Sequence, residues 1–186
     1  MKLTDKHRER LSRVVGTTNG RAVSFRRDEI ILPDDRKGHR EYLIHPGAVG
    51  ILAFASPQRI LLVKQFRYPV GEFTFEIPAG KLTKGEDPLA CVARELEEET
   101  GYVAKKVQKL ASFWPTAAFS NEIIHLYVAE ELTPTQMNPD DDEFLELVKV
   151  SPRELEAMIR HEKIRDSKTL IAYLVWTSGL RAARKR

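Results

Sequence analysis

The sequence predicts an α/β (α+β) sandwich in which a mixed sheet lies between helices. Two observations support this fold class: short apolar and β-branched segments fill the middle of the chain, and segments with helical periodicity flank them. The 186 residues, 42% of them apolar, are enough for one domain with a buried core and a small additional element. We therefore expect a small N-terminal β region over residues 1–48 and a main domain over residues 49–186.

Alternating or β-branched segments predict the strands. In chain order they are RAVSFRRDEIILP, EYLIHPGAVGILAFA, RILLVKQFRYP, FTFEIPAG, VQKLASFWP, EIIHLYVAEEL and FLELVKV. The tripeptide SPQ predicts a turn between the second and third segments, and TPTQMNPDDDE predicts an acidic loop before the last. The first strand belongs to the N-terminal region.

Three segments predict helices. The first is residues 88–100, within GKLTKGEDPLACVARELEEETGY (80–102), where Asp87 suits the N-cap and Gly101 suits a left-handed C-terminus. The second, SPRELEAMIRHEKI, opens with Ser151 as its N-cap and a proline at its first position. The third is DSKTLIAYLVWTSGLRAARKR, with Asp166 or Ser167 as its cap. In the first helix, apolar residues at helical spacing predict a stripe that faces the core: Leu89, Val92, Ala93 and Leu96.

Composition argues against several classes of protein. The single cysteine, Cys91, excludes an internal disulfide framework and favours a reducing cytoplasm. The segment MKLTDKHRERLSRVV carries charges throughout, unlike a signal peptide, and no apolar run approaches the ~18 residues of a membrane span. The net charge of +3 is mild and comes largely from the two ends of the chain. We therefore expect no nucleic-acid partner and no membrane partner.

Acidic residues crowd the last turns of the first helix. Glu95 and Glu99 lie one turn apart beside the apolar stripe, and Glu98 lies further round the helix. Like charges at this spacing cost a few tenths of a kcal/mol per pair, and carboxylates near a helix C-terminus oppose the dipole by roughly 0.3–1 kcal/mol each. The simple interpretation is a solvated acidic surface. The alternative is a divalent cation bound by these oxygens, and hard oxygen ligands suit Mg²⁺ or Mn²⁺.

The spacing of residues 80–102 resembles the Nudix box, the signature of the Nudix hydrolases. Gly80 is followed after five residues by Glu86, and after seven more by RELEEETGY at residues 94–102. Other segments resemble the ADP-ribose pyrophosphatase branch, which includes related nucleoside-diphosphate-sugar hydrolases. They are HPGAVGILAF, LLVKQFRYPVGEFTFEIPAGKL, FSNEIIHLYVAEEL, DDDEFLELVKVS and IRDSKTLIAYLV. The resemblance spans about residues 22–178 and implies the Nudix α/β/α sandwich with a mixed sheet.

The resemblance implies a metal site on the first helix. Its ligands are Glu95, Glu98 and Glu99, with the backbone carbonyl of Ala79 as a further ligand and Glu86 at the edge of the cluster. The expected cofactor is Mg²⁺, with Mn²⁺ as a possible substitute.

Arg94 has two interpretations. The resemblance implies that it orients the carboxylates through charge-assisted hydrogen bonds. The alternative is an ordinary surface pair with Glu98, four residues on.

A second acidic cluster, residues 140–143, precedes the last predicted strand. In similar enzymes a glutamate of this loop reaches the active site as catalytic base or metal ligand. Counting back from LELVKVS favours Glu143 as the base, with Asp142 and Asp141 as alternatives. A solvated loop is the simple interpretation of the same run.

Substrate contacts are also implied by the resemblance. Arg67 resembles an arginine that binds the diphosphate, for which its forked guanidinium is suited. Glu76 either pairs with this arginine or contacts substrate. Phe25 and Arg27, in an N-terminal strand, offer an aromatic ring and a cation to a nucleobase; strand packing and surface charge are the alternative.

The segment FWPTAAFSNE matches the ADP-ribose pyrophosphatase branch at some positions and differs from it at others. Ser120 and Glu122 match it. Residues 114–118 replace the Ser-Pro-Gly-like turn that many ADP-ribose enzymes carry, which favours a different sugar. Trp114 either stacks on a ring of the substrate or lies in the core.

The remaining reactive side chains suggest no further chemistry. We expect His45, His125 and His161 to be structural or surface residues. Cys91 has no histidine arranged as a base, so we expect no thiol nucleophile.

The implied activity is Mg²⁺-dependent hydrolysis of the diphosphate bond of a nucleoside diphosphate sugar or ADP-ribose, giving a nucleoside monophosphate and a sugar phosphate. The alternatives are a Nudix hydrolase of nucleoside triphosphates or dinucleoside polyphosphates, and a non-catalytic nucleotide-binding regulator. The N-terminal region resembles a strand-exchanging element of the branch, so a homodimer is expected.

Overall fold

The computed structural model describes residues 5–140 and 143–180. The chain divides into two compact units. The first comprises Met1–Pro46 with Thr116–Ile123, and the second comprises Gly47–Pro115 with Ile124–Arg186. No pattern in the sequence had indicated that residues 116–123 belong with the N-terminal region.

The first unit is an antiparallel three-stranded sheet in the order β1-β2-β3. Its strands are β1 (Arg10–Asn19), β2 (Ser24–Ile31) and β3 (Lys37–Ile44), after a short 3₁₀ turn at Asp5–His7. Residues 116–123 join it through the end of β3, where the Leu43 amide donates to the Phe119 carbonyl at 2.9 Å. The strand within RAVSFRRDEIILP is confirmed as β2, and β1 is a strand that the sequence did not predict.

The second unit contains seven strands. They are β4 (Ala48–Ser56), β5 (Arg59–Arg67), β6 (Glu72–Glu76), β7 (Ala79–Lys81), β8 (Tyr102–Phe113), β9 (Ile124–Pro134) and β10 (Glu146–Val150). The main order is β10-β5-β4-β9-β8, with β6 paired to β5 and β7 paired to β4. The β4–β9 pair is parallel and the other pairs are antiparallel, which confirms the predicted mixed sheet.

Helices cover both faces of this sheet. They are α1 (Pro88–Thr100), α2 (Pro152–Arg160) and α3 (Ser167–Ser178). Alternate residues of β4 pack to opposite sides: Val49 and Ile51 join a core cluster with α1, whereas Leu52 and Phe54 join one with α2 and α3. This alternation is what a strand covered on both faces requires, and it confirms the sandwich. No helix among the described residues is long and apolar enough to cross a membrane.

The caps of the helices are those that the sequence predicts. The Asp87 carboxylate accepts the Leu89 amide at 2.7 Å, and Gly101 adopts φ +67° where α1 ends. Ser151 forms a capping box at the start of α2. Asp166, rather than Ser167, caps α3.

The predicted apolar stripe of α1 is only partly right. Val92 and Leu96 are buried, but Leu89 and Ala93 are exposed. The buried face is rotated, and it takes in one thiol, one hydroxyl and two carboxylates: Cys91, Thr100, Glu95 and Glu99. Helix α1 therefore turns part of its acidic surface inward.

Candidate active site

Helix α1 carries the carboxylates of the candidate site, and β7 runs beside it. Glu95 and Glu99 are only 8% and 3% exposed, whereas Glu98 is half-buried. The solvated acidic surface is therefore the wrong interpretation for two of the three side chains. Ionised carboxylates are seldom buried to this degree without a cation or several hydrogen bonds.

Arg94 ties the acidic side chains together. Its Nη1 donates to Glu95 Oε1 at 2.7 Å and to Glu98 Oε2 at 3.1 Å, and its Nε donates to Glu86 Oε1 at 3.2 Å. Its Nη2 also donates to the Lys81 carbonyl at 3.3 Å. A surface pair with Glu98 is thus only one of several bonds, and the geometry suits an orienting role. The bonds to Glu86 and Glu95 outweigh the effect of burial and raise the pKa of Arg94.

Close approach of β7 fixes the two buried carboxylates. The Ala79 amide donates to Glu99 Oε2 at 2.9 Å. A Cβ placed on Gly80 would lie 1.8 Å from Glu95 Cδ, so the absence of a side chain at this position is what makes room for the carboxylate. The sequence pattern marked Gly80 without revealing this contact.

The carboxylates destabilise one another's charge. Burial, together with the charges of Glu95 and Glu143, raises the pKa of Glu99 to about 8, although the Ala79 amide works in the opposite direction. Burial likewise raises the pKa of Glu95, against the influence of Arg94. Glu143 acts on both pKa values, so its carboxylate contributes to the electrostatic environment of the α1 cluster. Raised carboxylate pKa values of this kind are typical of functional sites.

The donor set suits a divalent cation. Among residues 5–140 and 143–180, no three acidic, histidine or cysteine side chains are already grouped to hold a metal ion. Instead, Arg94 engages Glu95 and Glu98, and the Ala79 amide engages Glu99. Buried carboxylates whose charge is disfavoured are nevertheless oxygen ligands of the type that Mg²⁺ and Mn²⁺ prefer.

The loop before β10 carries the expected base. The Glu143 amide donates to the Asp140 carbonyl at 2.9 Å, and the Glu143 side chain is half-buried. Asp141 and Asp142, the alternative bases, lie outside the described residues. The start of this loop is tied to the end of α1, because the Thr135 amide donates to the Gly101 carbonyl at 2.7 Å and the Asn138 amide donates to the Glu98 carbonyl at 3.0 Å.

Arg67 and Glu76 form a bidentate ion pair. Arg67 Nε donates to Glu76 Oε1 at 2.8 Å and Nη2 donates to Oε2 at 2.7 Å, while the guanidinium side chain stays 45% exposed. Of the two alternatives for Glu76, pairing with this arginine is therefore the one the contacts show. Burial would raise the pKa of Glu76, but Arg67 and Lys168 outweigh burial and hold the pKa at about 2. Lys168 was missed from the sequence; its position one residue past the start of a helix gave no sign that it is buried.

Four expected substrate residues lie in the first unit. Phe25 and Arg27 are on β2, where Phe25 is exposed and Arg27 Nε lies 3.5 Å from Glu41 Oε1. Ser120 and Glu122 lie on the 116–123 segment, where the Glu122 amide donates to Ser120 Oγ at 3.1 Å. Their roles toward a substrate stay predictions.

Two other expectations concern residues of the second unit. Trp114 is 65% exposed, so a place in the core is wrong for this residue. Cys91 is buried, and desolvation raises the pKa of its thiol to about 12, which agrees with the absence of a thiol nucleophile.

The second unit is an α/β/α domain. Its helix α1 carries a buried carboxylate cluster that Arg94 bridges, beside the glycine-containing strand β7. The chain belongs to the Nudix family, because the NUDIX domain family matches residues 44–172. This match confirms the resemblance of the box.

Individual relatives cover most of the chain. A methanol dehydrogenase activator of Bacillus methanolicus is 43% identical over 156 residues, which is 83% of this chain and 84% of the relative. An ADP-ribose pyrophosphatase of Bacillus subtilis (strain 168) is 39% identical over 168 residues, 88% of this chain and 91% of the relative. A crystal structure of an ADP compounds hydrolase superposes with a TM-score of 0.81 at 16% identity, over 92% of this chain and 94% of the other, which shows that the fold is shared.

Proposed function

We propose that this chain hydrolyses the diphosphate bond of a nucleoside diphosphate sugar or ADP-ribose, giving a nucleoside monophosphate and a sugar phosphate. The observation that carries the proposal is the pair of buried carboxylates, Glu95 and Glu99, held on α1 beside Arg94. The name of the 39% identical relative, ADP-ribose pyrophosphatase, supports this substrate class.

Glu95, Glu98 and Glu99 would hold Mg²⁺ or Mn²⁺, with the Ala79 carbonyl as a further ligand and Glu86 at the edge. When bound, a divalent ion offsets phosphate charge and acidifies water. Forming the site requires the Glu99 carboxylate to be ionised.

The side chains of the protein supply the remaining steps. Glu143 accepts the proton of the attacking water. Arg67 bonds Glu76 through Nε and Nη2. Its Nη1 would donate to a phosphate oxygen and stabilise the charge of the leaving group. Arg94 keeps Glu95 and Glu98 in place.

Recognition of the nucleobase and sugar is assigned to the first unit. Phe25 and Arg27 would contact the base, and Ser120 and Glu122 the remainder of the nucleotide sugar. Exposure of the Phe25 ring supports this assignment.

The test is a panel of nucleotide sugars, ADP-ribose, nucleoside triphosphates and dinucleoside polyphosphates with Mg²⁺ or Mn²⁺, followed by phosphatase-coupled phosphate release. Glu99→Gln should lower turnover by on the order of 10²–10³-fold. Glu97→Gln is the matched control, because Glu97 lies on the same helix but is exposed. Preference for a triphosphate or dinucleoside polyphosphate would replace the proposed substrate class, and no release from any compound would favour a nucleotide-binding regulator.

A second candidate function comes from the 43% identical relative, which is named methanol dehydrogenase activator. We propose, as the alternative, that this chain raises the activity of an alcohol dehydrogenase. Adding wild-type protein or Glu99→Gln to a methanol dehydrogenase assay tests it. Stimulation by the wild type alone would link activation to the α1 carboxylates, whereas no stimulation by either protein would remove this candidate.

We also propose that the protein is a cytoplasmic homodimer. Strand β1 is an edge strand whose ten residues are all exposed, including Leu11, Val14 and Val15, and exposed apolar edges favour pairing with another chain. The buried free thiol of Cys91 suits a reducing compartment. Sedimentation equilibrium giving a monomer mass would contradict the dimer.

A further inference from the structure

Helix α3 begins with a lysine that is buried. Lys168 is only 9% exposed, and its ammonium group donates to Glu76 Oε2 and, at 2.9 Å, to Asp166 Oδ1. Glu76 in turn holds Arg67 through two bonds, and it also accepts the Thr74 hydroxyl at 2.6 Å. A chain of charged side chains thus runs from the start of α3 to the guanidinium on β5.

Stability alone does not account for a lysine here. Burying an ammonium group costs several kcal/mol of desolvation, and replacing a buried ion pair by apolar side chains of similar size is often neutral or stabilising. The helix is already fixed without it, because the Asp166 carboxylate caps α3 and the Thr169 hydroxyl accepts the Ile77 amide at 2.9 Å. Apolar side chains in place of both Lys168 and Glu76 would fill the space at less cost, whereas replacing Lys168 alone leaves the buried Glu76 carboxylate with one cation fewer.

The ion-pair cluster, formed by Arg67, Glu76, Asp166 and Lys168, lies next to the segment that leads into β7, the strand that contacts the α1 carboxylates. After Glu76, the Pro78 carbonyl accepts the Ile51 amide at 2.8 Å and the Ala79 amide donates to Glu99. Residues 76–79 are therefore anchored at one end by the ion pairs of Glu76 and at the other by the bond from Ala79 to Glu99. A shift of Glu76 would displace both Arg67 and the segment that contacts Glu99.

We propose that Lys168 is a positioning residue that acts through Glu76 to keep Arg67 available for the diphosphate; this inference rests on the proposed function. The two anions, Glu76 and Asp166, and the two cations, Arg67 and Lys168, form a neutral set. Without Lys168 the remaining three side chains, Arg67 included, have a net charge of −1. That charge repels an anionic diphosphate and draws the guanidinium more tightly to Glu76.

The experiment is a double-mutant cycle measured with ADP-ribose and Mg²⁺, or with the best substrate of the panel above. Lys168→Met should lower kcat/KM by about tenfold, mainly through KM, because one charged hydrogen bond is lost and a repulsive charge is left. In the Glu76→Gln background, where the pair has already been removed, Lys168→Met should change kcat/KM less than threefold. A role confined to docking α3 through Glu76 would instead lower stability in urea unfolding and leave KM unchanged.

Lys106→Met is the matched control, because this substitution also removes an ion pair, the one between Lys106 on β8 and Glu130 on β9. It should leave kcat/KM unchanged. If Lys168→Met does not fold by circular dichroism, Lys168→Gln, which retains a donor of similar length, takes its place in the cycle. Failure of both to fold would assign Lys168 to stability and overturn the inference.

The outcomes separate the two proposals. A wild-type protein that hydrolyses no compound of the panel refutes the proposed function, and this inference with it. An active wild type whose Lys168→Met variant stays within threefold refutes only the positioning role.

Discussion

Gly80 gives the sharpest test of the α1 cluster. In Gly80→Ala the new Cβ would lie 1.8 Å from Cδ and Oε1 of Glu95 and 2.4 Å from Oε2. Ordinary contact begins at 3.4 Å, so the carboxylate must move by about 1.6 Å. The backbone itself accepts alanine, because Gly80 is not among the glycines with positive φ. The perturbation therefore acts on the position of Glu95.

The expected loss of activity far exceeds the loss of stability. A misplacement of ~1 Å in a catalytic constellation costs about 10²-fold, so Gly80→Ala should lower kcat by at least about a hundredfold. Moving Glu95 breaks its 2.7 Å bond to Arg94, which keeps its bonds to Glu86 and Glu98. Alanine offsets part of this lost bond, because it lowers the conformational entropy of the unfolded chain. The net loss of folding free energy is therefore about 1 kcal/mol. For a chain of this size, Tm should fall by only ~2–4 °C.

Three measurements check the reasoning. Phosphate release gives kcat, calorimetry gives Tm, and electron paramagnetic resonance of Mn²⁺ reports metal binding independently of turnover. Gly16→Ala is the control, because no atom lies within 4 Å of its Cβ. A Gly80→Ala protein that keeps normal turnover and Mn²⁺ affinity would show that the position of Glu95 does not matter and would refute the metal-site assignment.

Three further predictions test other parts of the structure. Gly101→Ala should destabilise the protein by about 1–2 kcal/mol in urea unfolding, because Gly101 has φ +67° and its Cβ would lie 2.9 Å from the Met137 amide; unchanged stability would contradict this packing. The pKa of Glu76 is about 2 in the folded protein against an ordinary 4.5, so its charge stabilises the fold fully above pH 4.5, and this stability is lost as the pH falls toward 2. Glu76→Gln should remove about 3 kcal/mol of that pH dependence, and equal acid sensitivity of the two proteins would refute the assignment. Cys91, buried with a pKa of about 12, should react with iodoacetamide at pH 8 only after denaturation; rapid labelling of the native protein would show that the thiol is accessible.

Local signals were enough to place the starts of the three helices and the end of α1, whereas α2 ends at Arg160 and α3 at Ser178, before their predicted segments do. The bounds of α1 follow from Asp87, Pro88 and Gly101, which are cap and first-turn residues whose conformational preferences act within a few residues. Its buried face was harder to predict, because the sheet decides which side turns inward. Apolar spacing favoured Leu89 and Ala93, and both are exposed.

Strand β1 escaped prediction for a related reason. Periodicity in a strand reflects one buried and one solvated face, and all ten residues of β1 are exposed in this chain. Its sequence, RLSRVVGTTN, therefore carries no alternation that burial would impose. Only its pairing with β2 defines it as a strand.

The box, by contrast, could be recognised because its residues are close in sequence, whereas the contacts that give the site its chemistry join distant residues. Lys168 and Glu76 are separated by 92 positions, and Glu99 and Ala79 by 20. In the second unit, a buried lysine, three buried glutamates and a glycine in contact with a carboxylate each break a rule of burial or propensity; in the first unit, Asp28 and Glu29 on β2 are also buried. Such violations persist only where another requirement outweighs their cost, and those of the second unit lie along the path from Arg67 through Glu76 and Ala79 to α1. That coincidence is the reason to treat the ion-pair cluster and the carboxylate cluster as parts of one site, with diphosphate binding proposed for the first and metal binding proposed for the second.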